Sequence, residues 1–165
     1  IGSDAVLKIE LRDGNSLAFG LMTCASDVTI QGLSFTLFNT AAIATQMNAS
    51  ANCAVQGNNV RIFGNYFGLR PDGGGASNAG GISVANTVVQ IGGSALAERN
   101  IISNGTTFGV RISGAASASS VIQNNLIGTG EDGAHQERRQ HRSQVSESEK
   151  QRQRGTGDPH VVARG

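Results

Sequence analysis

The chain has 165 residues and a formal net charge of +1, and only 15% of its residues are charged. A composition this close to neutral gives no support for a nucleic-acid partner or an anionic membrane surface. Aromatic residues make up 4% of the chain, whereas Gly occurs 23 times. The core is therefore predicted to consist of Ile, Val, Leu and Ala, and the surface of small polar residues typical of extracellular β proteins.

The amino terminus begins at Ile1 without a Met, a basic segment or an apolar segment of signal-peptide type. This start indicates either a removed signal or an internal fragment. No apolar run approaches the ~18 residues of a membrane-spanning helix. The segment 1–27 matches the repeat that dominates the following sequence poorly, and it is interpreted as an irregular first coil.

Two cysteines, Cys24 and Cys53, are far apart in the sequence and do not have the spacing of metal ligands. They would form one disulfide if the coils that carry them are neighbours. The alternative is that both are small buried thiols.

From Val28 onward one six-residue pattern recurs. It begins with Ile, has Gly or Asn at the third position, where the chain turns a corner, and ends with Phe or Ile. Copies begin at Ile30, Ile62 and Ile122, a partial copy begins at Ile102, and the run 88–93 fits a divergent copy. The stretch from the first copy to the last, divided into four intervals, predicts a coil of about 23 residues.

The strand candidates are short and rich in Ile and Val, and no stretch of the body carries the 3.6-residue period of a helix. The sequence is instead similar to itself from head to tail: 65–73 matches 125–133, and 81–84 matches 109–112. Such matches indicate stacked, equivalent rungs rather than antiparallel hairpins. We expect alternate residues to point inward and to stack at ~4.8 Å, with Asn side chains stacking at the corners.

The run 122–128, the Asp-Gly pair at 132–133 and the Gly-Val-x-Ile-Ser-Gly rung at 109–114 resemble right-handed parallel β-helix repeat proteins of the secreted bacterial type. The same broad fold class includes pectate lyases and polygalacturonases. The resemblance covers about residues 17–133. It implies an all-β, right-handed, single-stranded parallel β-helix of about five coils over residues 1–133, in a secreted or cell-surface protein. It implies little about function, because one fold hosts many activities.

Residues 134–165 differ abruptly in composition from the body of the chain. They hold seven of the 13 Lys and Arg residues and all three His. Because they contain almost no large apolar residue, we expect a disordered basic tail. A shifted reading frame is one hypothesis for this change, and a genuine tail that binds an acidic partner is the other. A stack that ends uncapped at Gly133 is expected to self-associate.

The body offers no clear catalytic group. It contains no His, and its carboxylates form none of the motifs that a polygalacturonase resemblance requires. A glycoside hydrolase needs two carboxylates ~5–10 Å apart, and a lyase needs a basic residue and often Ca²⁺ held by carboxylates. No catalytic residue, cofactor or metal site is therefore predicted, and Ca²⁺ is expected only for a lyase.

Five residues are candidate ligand contacts: Arg61, Arg70, Asp72, Arg111 and Asp132. Arg61 and Arg111 are predicted to point outward, where each would bind an acidic sugar or act as a solubilising ladder residue. The two Asp are predicted to lie about three coils, or ~14 Å, apart, which is too far to share one cation. In the competing interpretation each Asp caps its own turn and the Gly after it adopts a positive φ.

The function predicted from these observations is a structural or binding segment of a secreted or cell-surface β-helix protein that is non-catalytic as it stands. Its expected partners are extended polysaccharide or cell-surface components, because solenoids present long ladders suited to extended ligands. The alternative is a fragment of a pectate lyase-like polysaccharide lyase whose catalytic coils lie outside this chain.

Overall fold

The computed structural model describes residues 6–14, 16–45 and 57–128. This part of the chain contains short β-strands and two single-turn 3₁₀ helices, Leu96–Glu98 and Ala115–Ser117. The strands are β1 (Ile9–Arg12), β2 (Phe19–Thr23), β3 (Thr29–Gln31), β4 (Leu33–Thr36), β5 (Ala41–Thr45), β6 (Val60–Phe63), β7 (Tyr66–Phe67), β8 (Asn78–Ala85), β9 (Val89–Ile91), β10 (Ile101–Ile102), β11 (Gly105–Ser113), β12 (Val121–Ile122) and β13 (Leu126–Ile127).

The strands form three sheets that the chain visits in a fixed order. Sheet A is β1-β4-β7-β10-β13, sheet B is β2-β5-β8-β11 and sheet C is β3-β6-β9-β12. Every pairing within them is parallel. The chain passes through A, B and C four times and then enters sheet A again with β13. The fold is therefore the predicted all-β parallel β-solenoid, and the described residues form about four turns, whereas about five coils were predicted over residues 1–133.

The isoleucine repeat is confirmed as a structural column, but its predicted period is wrong. Ile30, Ile62, Ile91 and Ile122 are in register in sheet C, so successive members of the column are one full turn apart. Ile102 belongs instead to sheet A. The predicted interval is too short because Ile102 of sheet A was counted together with the isoleucines of sheet C. The two sheets carry the same apolar alternation, so their strands look alike in the sequence.

The two other sequence matches also correspond to stacked strands. In sheet A, β7 and β13 are separated by β10 alone, so the matching segments begin two turns apart rather than about three. In sheet B, Ile82 pairs with Val110 in adjacent layers. Two strands come from the poorly matching segment 1–27, and they continue the same ladders: β1 pairs with β4 and β2 with β5.

The interior of the solenoid is filled by columns of apolar side chains. In sheet A, Phe35 and Phe67 are in register, and their rings stack with centroids 5.2 Å apart and planes 4° from parallel. Ile43, Ile62, Ile82 and their neighbours share this core, where burial of a large side chain contributes ~1.5–3 kcal/mol. Its buried members are Ile30, Phe35, Phe38, Ala42, Ile43, Val60, Ile62, Phe67, Ile82, Val84, Val89, Ile91 and Ile102.

A second, smaller cluster covers the outer face of sheet A. It contains Leu7, Tyr66, Leu69 and Ile101, with Leu126 packed against it. Tyr66 is adjacent to the inward-facing Phe67 and therefore points to the opposite side of the sheet. It is only 1% exposed. Its ring is therefore part of the packing and does not offer a surface for a sugar.

Some predictions concern residues outside the described ranges. Cys24 is disulfide-bonded, but Cys53 lies outside them, so the pairing of these two cysteines stays a prediction. The basic tail, 134–165, and the candidate Asp132 also lie outside them. Among the described residues, no helix has the length and apolar character needed to cross a bilayer.

Candidate functional site

The outer face of sheet C carries one cation together with three uncharged polar and two apolar side chains. Ile30, Ile62 and Ile91 are buried in the core, so the residues next to them on each strand face outward. In register, these residues form two outward columns. We call this surface the sheet C face, and its members are Thr29, Gln31, Arg61, Phe63, Gln90 and Val121.

Arg61 lies in the middle layers of the sheet C face and is half-buried. Its guanidinium carbon is 5.1 Å from the centroid of the Phe63 ring, a cation–π distance. Its Nε atom is buried without a hydrogen-bond partner. Its register neighbours, Thr29 and Gln90, carry no charge. Arg61 is therefore held in place by an aromatic ring, and no carboxylate occupies the adjacent positions of its column.

Arg111 lies on a different sheet and already has partners within the chain. Its guanidinium carbon is 4.5 Å from the centroid of the Phe108 ring. Its Nη2 atom donates a hydrogen bond of 3.1 Å to Oγ of Ser83, its register neighbour in sheet B. Because Arg61 belongs to sheet C, the structure does not bring the two arginines together in one site.

Arg70 and Asp72 lie in the turn that follows β7. The backbone N–H of Arg70 donates to the carbonyl oxygen of Gly74, and the N–H of Gly73 donates to that of Arg70, at 2.8 and 2.9 Å. Oδ1 of Asp72 accepts the N–H of Gly74 at 2.9 Å, and Gly73 has a φ of +80°. These are the contacts of a self-capped turn, as the competing interpretation of Asp72 predicts.

The carboxylates of the described residues all accept hydrogen bonds from the chain itself. Asp13 accepts from the Leu17 N–H at 2.7 Å, and Glu10 from the Thr36 hydroxyl at 2.6 Å. Asp27, Asp72 and Glu98 accept from Asn59 Nδ2, Gly74 N–H and Ala95 N–H. Within the same residues, no group of three or more His, Cys, Asp or Glu side chains is arranged to hold a metal ion.

The most regular polar feature is an asparagine ladder at the corner between sheets C and A. Oδ1 of Asn100 accepts the backbone N–H and the Nδ2 group of Asn65 at 3.0 and 3.2 Å. Oδ1 of Asn125 makes the same contacts with Asn100, at 3.3 and 2.8 Å. The amide groups also donate to carbonyl oxygens of Ile30, Ile62 and Ile91. The predicted corner stacking of Asn is confirmed, and it satisfies polar groups buried inside the coil.

Comparison of the chain with protein-family models, with curated proteins and with solved structures gave no match. The structure establishes a parallel β-solenoid. Membership of the pectate lyase-like class therefore rests on the repeat motifs and stays a prediction.

Proposed function

We propose that the chain is a structural and binding segment of a secreted or cell-surface β-helix protein, non-catalytic as it stands, that contacts extended acidic polysaccharide. The observation that carries this proposal is the sheet C face, where Arg61 lies between two uncharged register neighbours, the hydroxyl of Thr29 and the amide of Gln90. Parallel layers repeat such groups at ~4.8 Å along the stack. A surface of this kind suits a linear polymer better than a compact ligand.

The chemistry of the sheet C face favours a carboxylated sugar over a neutral one. Arg61 has several N–H donors, and a guanidinium matches the two oxygens of a carboxylate. Thr29 and Gln31 are exposed next to it and can exchange hydrogen bonds with sugar hydroxyls. Gln90 donates its Nε2 group to the carbonyl oxygen of Gly92 at 3.2 Å, which fixes its side chain and leaves its Oε1 as an acceptor.

The non-catalytic part of the proposal is supported by the roles of the carboxylates. Each described Asp or Glu makes a local hydrogen bond that supports a turn, a corner or a strand pair. Glycoside cleavage needs carboxylates that face each other across a substrate bond. The described carboxylates instead lie at separate corners and strands of the solenoid.

Binding of polygalacturonate to the full chain, measured by isothermal titration calorimetry, tests the proposal. We expect Arg61→Gln to weaken binding ~10–100-fold, because a hydrogen bond to a charged group contributes ~1.5–3 kcal/mol. Arg111→Gln is the matched control, since it removes the same charge from sheet B. Equal losses in the two variants would indicate general charge attraction and would contradict a site on the sheet C face, as would the absence of binding.

The same mixtures test the lyase alternative. The chain is incubated with polygalacturonate and Ca²⁺, and the absorbance of unsaturated product is followed. We expect no product. A robust rate of product formation would overturn the non-catalytic part of the proposal, whatever the binding measurements show.

A further inference from the structure

The sheet C face differs in charge between the direction across its layers and the direction along its strands. Across the layers, Thr29 and Gln90 are the register neighbours of Arg61, and Val121 lies one layer beyond Gln90. We call these four residues the Arg61 column. Its members lie ~4.8 Å apart from one layer to the next, and none of them is a carboxylate. A ligand that follows the column therefore crosses the solenoid beside one cation and three uncharged side chains.

Along the strand of Arg61, a carboxylate lies next to the residues that come first. Asp27 is exposed at the corner before β3, and its Oδ1 atom accepts the Nδ2 group of Asn59 at 2.6 Å. Asn59 precedes Arg61 by two residues, or ~7 Å of extended chain. The guanidinium of Arg61 contacts the Phe63 ring instead. The negative charge of Asp27 therefore faces any anion that extends past β6 in this direction.

A loop and a second carboxylate lie at the other end of the same strand. The backbone N–H of Gly64, directly after β6, donates to the carbonyl oxygen of Glu98 at 3.2 Å. A Cβ atom on Gly64 would lie 2.7 Å from the carbonyl oxygen of Ala97. The Glu98 carboxylate is held in this loop, because its Oε2 atom accepts the Ala95 N–H at 3.0 Å. Backbone atoms and a negative charge therefore both lie at this end of β6.

The two carboxylates favour one orientation of an acidic polymer on the sheet C face. Charges in solution act on one another within a Debye length, ~8 Å at physiological ionic strength. A polyanion that follows β6 extends over Asp27 on one side and Glu98 on the other, and both repel it. A polyanion that follows the Arg61 column has only Thr29 and Gln90 beside the cation. The second orientation keeps the attraction to Arg61 without the repulsion.

The guanidinium of Arg61 presents one edge to such a ligand. Its Nε atom is buried, and the Phe63 ring lies at 5.1 Å from the guanidinium carbon. The two Nη groups are the remaining donors. Two parallel N–H groups match the two oxygens of a single carboxylate. The column is therefore suited to hold one carboxylate of the polymer at Arg61.

We propose that the acidic polysaccharide lies along the Arg61 column, parallel to the solenoid axis, and that Asp27 and Glu98 exclude the orientation along the strands. One sugar carboxylate binds the Nη groups of Arg61. The sugars on either side exchange hydrogen bonds with the hydroxyl of Thr29 and with Oε1 of Gln90, whose Nε2 group is held by the Gly92 carbonyl oxygen. This inference rests on the proposed function, because it assigns the path of the polymer on the same face.

Isothermal titration calorimetry of the full chain with polygalacturonate at 0.15 M salt, the ~8 Å Debye length, tests this path. Val121→Lys adds a cation two layers, or ~10 Å, from Arg61 along the column, and it is expected to strengthen binding ~10-fold. Asn58→Lys is the matched control. Asn58 is exposed and precedes Arg61 by three residues, so it lies within ~10 Å of Arg61 in the strand direction. Its substitution should change the Kd less than ~2-fold.

A gain for Asn58→Lys that equals or exceeds the gain for Val121→Lys contradicts the path along the column. A second pair of variants removes contacts, in case a lysine variant does not fold. Thr29→Val and Gln90→Leu should each weaken binding ~2–10-fold, and unchanged affinity in either folded variant would also overturn the inference. In these cases a loss of binding in Arg61→Gln still supports the proposed function. Absence of binding by the unaltered chain overturns both proposals.

Discussion

The middle turns and the last described strands of the three sheets, β11, β12 and β13, which we call the terminal layer, carry apolar side chains in the same columns, yet they differ sharply in burial. Ile62 and Ile91 are 0% exposed, whereas Ile122, in register with them, is 45% exposed. Within the described residues, a further layer lies above Ile91 but not above Ile122. In a solenoid, burial is therefore a property of neighbouring layers more than of the strand's own sequence.

The asparagine ladder shows the same difference for polar groups. Asn65 and Asn100 are 0% exposed, and each has a side chain of the next layer bonded to its backbone N–H. Asn125 is half-buried and is the last described member of the column. Matched substitutions in one column therefore measure what an added layer contributes to stability.

The largest difference in unfolding free energy between a substitution in a middle turn and one in the terminal layer is expected in the column that contains Phe35, Phe67 and Ile127. Phe67→Ala should lower the free energy of unfolding by ~3–5 kcal/mol, because it opens a cavity beside the stacked Phe35 ring. Ile127→Ala should cost only ~1 kcal/mol, since about half of its side chain is already exposed. Urea unfolding at concentrations where the chain is monomeric gives both values. Equal losses would show that the terminal layer is covered within the monomer.

A smaller difference is expected in the asparagine ladder. Asn100→Ala removes the acceptor of the buried Asn65 N–H and the donor to the Ile62 carbonyl oxygen, and it should cost ~2–4 kcal/mol. Asn125→Ala should cost about half as much, because water can reach that corner. The same urea titrations measure this pair. A larger loss of unfolding free energy for Asn125→Ala than for Asn100→Ala would contradict this expectation and would show that Asn125 contributes most to the stability of the ladder.

The smallest difference is expected at the corner glycines that follow sheet A. Gly68 and Gly128 have φ values of +75° and +77°, where an L side chain costs ~1–2 kcal/mol. A Cβ atom on Gly68 would also overlap the carbonyl oxygen of Ser103, whereas one on Gly128 would meet nothing within 4 Å. Gly68→Ala should therefore lower the unfolding temperature further than Gly128→Ala. Identical shifts would show that backbone strain alone determines the cost.

The sequence was sufficient to predict the architecture, because in-register columns repeat the same residue type from layer to layer. The isoleucine column of sheet C and the match between 81–84 and 109–112 were found in this way. The turn length was not predictable from the same pattern, since Ile102 of sheet A lies in an equivalent apolar alternation. Periodicity alone does not distinguish strands that belong to different sheets.

The candidate site was predicted less well, because side-chain partners depend on register across distant segments. The outward position of Arg61 follows from alternation along β6. Its ring contact with Phe63 and its buried Nε atom depend on how neighbouring side chains pack. The burial of Tyr66 likewise depends on Leu7, which comes from the part of the sequence that matched the repeat poorly.

The number of residues between paired strands of sheet B differs from one turn to the next, and this difference affects how such a protein can vary in length. Leu21 pairs with Ile43 and Ile43 pairs with Ile82, yet the second pair encloses a much longer segment of the chain than the first. Each step nevertheless raises the stack by the same ~4.8 Å, because only the paired strands determine the rise. The height of the solenoid therefore depends on the number of layers and not on the number of residues in the chain. Segments can therefore be inserted or removed at the corners, between paired strands, without changing the spacing of the sheet faces.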